Sequence, residues 1–281
     1  MATFKIKSYA KINLALNVIG KTQKLHKIES IVSFIDLHDL IYLKLTNTKD
    51  HKVSFQGKFS KGIGKKNTIT TLLRLLDEKK LLNNKKLKIK IIKNIPQKSG
   101  MGGGSMNAAS LINFLIFKKI IKIKKNELIK LTKLIGSDVI LGIDLKNTIL
   151  SSNGLIKRYK KKIKFYMLIV KPNFGCSTKL IFSKVKSFSR SKFNLPKQSM
   201  FSNNYLKNLN NDLENIVFKK YPKLKIIKLF LSSLHNVIFV RMSGSGSSIV
   251  AYFHSKNACK VGLKQFKSRF NSYWCIASKT I

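Results

Sequence analysis

The stretch IPQKSGMGGGSMNAAS, from Ile95 to Ser110, puts four glycines into positions 100–104, between an alternating apolar segment and an apolar segment of helical length. Upstream, LKIKIIKNIP sets Leu87, Ile89 and Ile91 at a spacing of two and closes on Pro96, which predicts a strand that stops at the proline. Downstream, SMNAASLINFLIFKKI predicts a helix. A strand, a bare loop and a helix in that order uncover backbone N–H groups and aim the orphan donors and positive end of the helix at whatever the loop holds. The loop by itself is compatible with an anion cradle and with a tight turn. A P-loop would end in Gly-Lys-Ser/Thr, whereas Gly104 is followed by Ser105 and Met106. A dinucleotide fingerprint would want an acid roughly 20 residues on, where this chain is rich in lysine. Gly103 is expected to need a positive φ, so that a β-branched side chain there would resist the backbone and fill the space of phosphate oxygens.

The rest of the chain mixes helix and strand. Phe4 to Ile19 reads as one or two strands, Ile28 to Leu37 and Ile41 to Leu45 as further strands, and HKVSFQGKFSKGIGKK as a polar connection. NTITTLLRLLDEKKLL carries Ile69, Leu72, Leu73 and Leu76 on one helical face, and a later helix in KNELIKLTKLIGSDVILGI ends at Gly136, with Asp138 just past the break. KFYMLIVKP is a strand ending at Pro172, and the basic, Ser-rich residues 183–204 read as a mobile excursion. The tail runs helix, helix, strand, the glycine turn SGSGSS, strand, helix, strand, an order that suits an antiparallel sheet backed by helices. A domain boundary is expected near residues 154–163.

Composition narrows the function classes. A chain of 281 residues is long enough for two modest domains. No apolar run approaches the roughly 20 residues of a spanning helix, and the N-terminus lacks a signal-peptide core, so a cytoplasmic protein without membrane partners is expected. Cys176, Cys259 and Cys275 form no disulfide framework or zinc pattern. The net charge of +45 invites a nucleic-acid reading, but only five of the 56 basic residues are arginine. Lysine is spread along the chain beside abundant Ile and Asn, as a compositional bias would leave it. No specific nucleic-acid partner is expected. With eleven acids in all, carboxylate chemistry must come from a short roll.

The glycine loop, read as Pro96-Gln97-Lys98-Ser99-Gly100-Met101-Gly102-Gly103-Gly104-Ser105, resembles the P-x3-G-L-G-S/G-S phosphate loop of the GHMP small-molecule kinases, with Met101 in the leucine slot. Other segments match in one order: SYAKINLALNVIG, LHKIESIVSFIDLHDLI, GSDV, KPNFGCSTKLIFS, NDLE and MSGSGSSIVAYF. Within the family, AKINL and the triple glycine before SMNAA look most like the branch whose substrate is cytidine diphosphate methylerythritol. The resemblance implies an α/β (α+β) fold of two domains: an N-terminal ribosomal-protein-like ATP-binding domain (1–157) and a C-terminal ferredoxin-like α/β sandwich (158–281). It implies transfer of the ATP γ-phosphoryl group, with Mg²⁺, to the 2-hydroxyl of that substrate, a step toward isoprenoid precursors by the non-mevalonate route, in a monomer or homodimer.

Roles follow from the same resemblance. Asp138 matches the family's base, and Lys11 the lysine that orients it and steadies charge on the attacking oxygen. Pro96 to Ser105, with Met106, match the ATP loop, and Ser105 would be a metal ligand or phosphate donor. His26 matches the histidine that reads the cytosine edge, Phe182 the aromatic that stacks on the ring, and Asn13 and Thr178 hydrogen-bond the polar remainder. Two departures stand out. Leu25 occupies the place of the family's usual tyrosine, so one aromatic wall is missing, and Met106 replaces a serine hydroxyl. Two rival classes remain: a kinase of homoserine or a mevalonate-type acid, and a nonenzymatic RNA-binding protein favoured only by charge.

Overall fold

A computed structural model of the chain describes residues 3–23, 25–160 and 163–281. In chain order these form β1 (Phe4–Lys21), β2 (His26–Thr46), β3 (Lys52–Gln56), α1 (Thr68–Glu78), β4 (Lys86–Ile92), α2 (Gly103–Phe117), α3 (Lys125–Ile135), a 3₁₀ turn (Val139–Ile143), β5 (Asn147–Leu150), β6 (Ile156–Tyr159), β7 (Tyr166–Lys171) and α4 (Thr178–Phe182). A second 3₁₀ turn (Gln198–Phe201), α5 (Asn203–Lys207), α6 (Leu213–Lys220), α7 (Pro222–Ser232), β8 (Val237–Met242), β9 (Ile249–Phe253), α8 (Lys256–Arg269) and β10 (Trp274–Lys279) complete it. The chain divides into two compact units. The first takes the stretch ending at Lys11 with Leu37–Pro96 and Gly102–Leu145; the second takes Ile12–Asp36, Gln97–Met101 and Lys146–Ile281. The expected boundary window, 154–163, contains β6 and positions 161 and 162, which lie outside the described residues.

In the first unit β4 pairs antiparallel with the later half of β2, from Leu40 opposite Ile92 to Thr46 opposite Lys86, and β3 pairs parallel with β4. Leu87, Ile89 and Ile91 are buried while Lys88 and Lys90 face solvent, so the period of two places one face of β4 on the core. That core gathers Ile41, Leu43, Leu72, Leu76, Leu111 and Leu115, each buried side chain stabilising the fold by about 1.5–3 kcal/mol. Asn67 caps α1, its side chain accepting from the N–H groups of Ile69 and Thr70. Gly142 has a steric reason: a Cβ there would stand 2.7 Å from the Ala109 Cβ and 3.0 Å from the Met106 Sδ. Only glycine lets the turn that begins at Asp138 lie this close to α2.

The second unit holds the antiparallel sheet β10-β7-β9-β8, as the tail pattern predicts. Its core includes Leu168, Val170, Leu213, Ile227, Val240, Ala251 and Phe266. The early half of β2 pairs with β5, and β5 with β6.

Three expectations are corrected. The two strands expected over 28–45 are one strand, because the carboxylate of buried Asp39 is ion-paired with Lys93 and accepts from the N–H groups of Asn94 (2.7 Å) and Ile95 (2.8 Å), so the polar interruption is fully satisfied. The polar connection contains β3, whose Val53 and Phe55 are half-buried between exposed Lys52, Ser54 and Gln56. Residues 183–204 are anchored rather than mobile. The fully buried Glu29 carboxylate accepts from the Ser191 hydroxyl (2.8 Å) and the N–H groups of Lys192 (2.7 Å) and Phe193 (3.1 Å). Phe193 is itself buried, and Tyr159 Oη donates to the Pro196 carbonyl at 2.6 Å.

Candidate active site

The glycine loop is built by two kinds of restraint. Residues 97–101 bond to the glycine turn of the second unit: Ser247 N–H donates to the Lys98 carbonyl (3.2 Å), Ser248 N–H to that of Ser99 (3.2 Å), and the Ser243 hydroxyl to that of Gly100 (3.0 Å). Gly100 has φ +75°, and a Cβ there would lie 1.8 Å from the Ser243 carbonyl oxygen, so no other residue fits. Gly102 then caps α2 with φ +67° and no side-chain capping bond, which leaves the first-turn N–H groups of a 15-residue helix without a capping side chain. The positive φ values therefore sit at Gly100 and Gly102, whereas Gly103 is already helical. A side chain at Gly103 meets a steric limit instead: its Cβ would be 3.0 Å from Ile95 Cγ2. Thr68 Oγ1 donates to the Gly104 carbonyl at 2.8 Å. Met106 is buried, and its N–H donates to the Gly102 carbonyl at 2.8 Å.

Beside Gly102, Lys11 and Asp138 meet. Lys11 Nζ is 3.2 Å from Asp138 Oδ2, with the lysine 4% exposed and the aspartate 33%. A Cβ on Gly102 would lie 3.1 Å from both Cγ and Cε of Lys11, so the loop is shaped around the lysine stem. Asp138 precedes the 3₁₀ turn without capping it, which leaves its carboxylate oriented by Lys11 rather than consumed by the backbone. Ser105 is half-buried in the first turn of α2. Asn107, one residue past Met106, was not singled out in the sequence as functional; it is buried with its Oδ1 lacking a hydrogen-bond partner. A primary amide in an otherwise small and apolar helical run was the available signal.

The second unit gathers the remaining candidates into separate contacts. His26, half-buried at the start of β2, places its ring 5.2 Å from that of Phe182 and 6.5 Å from that of Phe188. Burial, aided by the charge of Lys21, holds the His26 pKa below its ordinary value. Asn13 is buried and donates from Nδ2 to Ser30 Oγ at 2.8 Å, while its N–H donates to Ser243 Oγ at 3.3 Å. The hydroxyls of Thr178 and Ser245 are 2.9 Å apart. Leu25 is 70% exposed on the turn after β1, where Thr22 Oγ1 and Thr22 N–H both donate to its carbonyl. Cys176 is buried and its thiol is pushed up to about 11 by burial, so it is no nucleophile.

Among the described residues no group of three or more His, Cys, Asp or Glu side chains could hold a metal ion, and no helix is long and apolar enough to cross a membrane.

The chain matches the family model of the GHMP kinases N terminal domain over residues 67–145 and that of the GHMP kinases C terminal over residues 185–270. It is 66% identical over 281 residues to the 4-diphosphocytidyl-2-C-methyl-D-erythritol kinase of Pelagibacter ubique (strain HTCC1062), covering 100% of both chains. It is 29% identical to the Anaplasma phagocytophilum (strain HZ) protein of the same name, covering 100% of this chain and 96% of that one. Among solved structures, a 4-(cytidine 5'-diphospho)-2C-methyl-D-erythritol kinase matches with a TM-score of 0.79 at 20% identity, over 99% of this chain and 100% of the other. The homoserine kinase of Cytophaga hutchinsonii ATCC 33406 matches with a TM-score of 0.71 at 14% identity, over 100% of this chain and 95% of that one. At such identities the structural likeness speaks to the fold alone.

Proposed function

The chain belongs to the GHMP kinases, and from that premise we infer that it transfers the γ-phosphoryl group of ATP to the 2-hydroxyl of 4-diphosphocytidyl-2-C-methyl-D-erythritol, a step in isoprenoid precursor synthesis by the non-mevalonate route. The observation that carries the chemistry is the Lys11–Asp138 pair beside the left-handed Gly102. Phosphoryl transfer needs positioning and charge stabilisation more than covalent help. Asp138 accepts or orients the proton of the attacking hydroxyl, and Lys11 holds the carboxylate in place and offsets charge developing on the oxygen. Residues 96–106 cradle the ATP phosphates, with the backbone N–H groups at the start of α2 as principal donors.

Magnesium fits this donor set only as an ion carried by the nucleotide. The protein lacks a three-ligand cage among the described residues, and Mg²⁺ commonly binds through phosphates, water and one or two protein oxygens. The Ser105 hydroxyl is the protein oxygen we assign to it or to a phosphate. When bound, the ion neutralises phosphate charge.

His26 and Phe182 read and stack on the cytosine, and Asn13 and Thr178 hydrogen-bond the polar remainder. We assign nucleotide binding to an N-terminal domain, 1–157, and the completing fold to a C-terminal domain, 158–281, in a cytoplasmic monomer or homodimer. The test is ADP release with three acceptors: the cytidine diphosphate alcohol, homoserine, and an RNA control. Release that depends on the first alone supports the reading; release with homoserine but not with the cytidine compound moves the protein to another acceptor class.

A further inference from the structure

Among the described residues the His26 ring lies against two aromatic rings, those of Phe182 and Phe188, and only Phe182 has a role in the reading above. The second, Phe188, belongs to a stretch otherwise made of lysine, serine, one arginine and one valine, KVKSFSRS, and the residue is 49% exposed. A single exposed phenylalanine is ordinary. This one is held in place. Ser189 N–H donates to the Val18 carbonyl at 2.8 Å, which ties the residue next to Phe188 to β1. Three residues further on, the buried Glu29 carboxylate gathers Ser191, Lys192 and Phe193, and Glu29 lies on the same strand as His26, three residues away. The segment is thus tied to Val18 of β1 and to Glu29 of β2, the strand that begins with His26, and the two strands pair with each other.

At the same time Leu25, directly before His26, offers no aromatic face and stands 70% exposed on the turn. A base-reading histidine with an aromatic on one side lacks the second stacking face that holds a flat ring in register. We propose that Phe188 supplies that face: it is a specificity-determining residue for the cytidine moiety, and takes the place that a residue at position 25 does not fill. The inference rests on the functional reading above. The ligand class is a pyrimidine nucleoside diphosphate, and the interaction is ring stacking, which tolerates another aromatic and does not tolerate an aliphatic side chain of similar volume.

The test uses the full chain, with CDP as a direct binding probe measured by calorimetry and the cytidine diphosphate alcohol as substrate. Phe188→Ala and Phe188→Leu should each weaken CDP binding and raise KM for the cytidine substrate by roughly tenfold or more, with KM for ATP unchanged, while Phe188→Tyr binds as the parent does. Leu25→Tyr introduced into Phe188→Ala should recover part of the loss. The site is exposed, so unchanged melting temperatures confirm that the variants fold. If the parent binds CDP and turns over substrate but Phe188→Leu is indistinguishable from it, the ring is only packing and the inference is overturned while the kinase reading stands. If the parent neither binds CDP nor phosphorylates the cytidine substrate, the functional reading falls and the inference falls with it.

Discussion

Lys11 Nζ and Asp138 Oδ2 stand 3.2 Å apart although 127 positions of chain separate them, and the buried partner is the lysine. A buried ammonium needs its counter-charge more than a half-exposed carboxylate does. The carboxylate is therefore oriented by the lysine while one side stays open to a substrate hydroxyl. Asp138→Asn keeps the shape but removes the charge. We expect kcat to fall by roughly a hundredfold or more, with little change in either KM. Lys11→Ala should cost a similar factor, and the double variant much less than the product, because the two act as a unit. A drop of only about tenfold in Asp138→Asn would mean orientation rather than proton acceptance, as a loose transition state permits. Full activity in a folded Asp138→Asn protein would falsify the assignment.

The loop glycines differ in what they tolerate. Gly102→Ala puts a Cβ at φ +67° and 3.1 Å from the Lys11 stem, so it should lower kcat by displacing the lysine as well as raise KM for ATP. Gly103→Val should act chiefly on KM for ATP, by pushing the first turn of α2 off Ile95. Gly154→Ala, at φ +82° with open space around it, isolates the cost of backbone strain and should leave both constants alone. Unchanged ATP affinity in folded Gly103→Val would remove the phosphate cradle.

The strand, loop and helix order was legible because each carries its own local period, and the cap at Gly136 is local too; the strand stop was not, since β4 ends at Ile92 rather than at Pro96, where Asp39 takes the N–H groups of Asn94 and Ile95. The pairing of Lys11 with Asp138 was legible only through family resemblance, since nothing in either neighbourhood names the other. The three consecutive glycines look alike in the sequence, yet backbone geometry demands a positive φ at Gly102 and steric fit at Gly103. Phe188 was hidden for a different reason. A Ser- and Lys-rich stretch reads as solvent-facing, and the Glu29 carboxylate that anchors it comes from 162 residues earlier.

Glu29 is therefore predicted to matter for order in that stretch. Besides its three bonds to 191–193, it accepts from Asn17 Nδ2 at 2.8 Å. In Glu29→Gln one oxygen becomes a donor facing donors, which should destabilise the protein by about 1–3 kcal/mol. Amide exchange in 189–193 should quicken more than exchange in β7 or β9. Uniform quickening across the second unit, with no excess in 189–193, would show that Glu29 supports the fold in general and not this segment.

The last expectation concerns pH. Burial and the Lys21 charge hold the His26 pKa below the ordinary histidine value. The ring is then neutral above about pH 6.5, and its unprotonated nitrogen can accept from the amine on the cytosine edge. Protonation makes both nitrogens donors and loses the partner of the amine. Because the folded-state pKa is lowered, the useful neutral form persists through and somewhat below about 6.5, and is lost only as pH falls through the lowered value. KM for the cytidine substrate should thus be flat from about pH 8 to about 6.5 and rise below that, without a parallel rise in KM for ATP. His26→Gln retains a donor and an acceptor but cannot titrate in this range, so its KM should be higher at neutral pH and flat across it. A Gln variant whose KM still rises on acidification as the parent's does would assign the titration to another group and take His26 out of base reading.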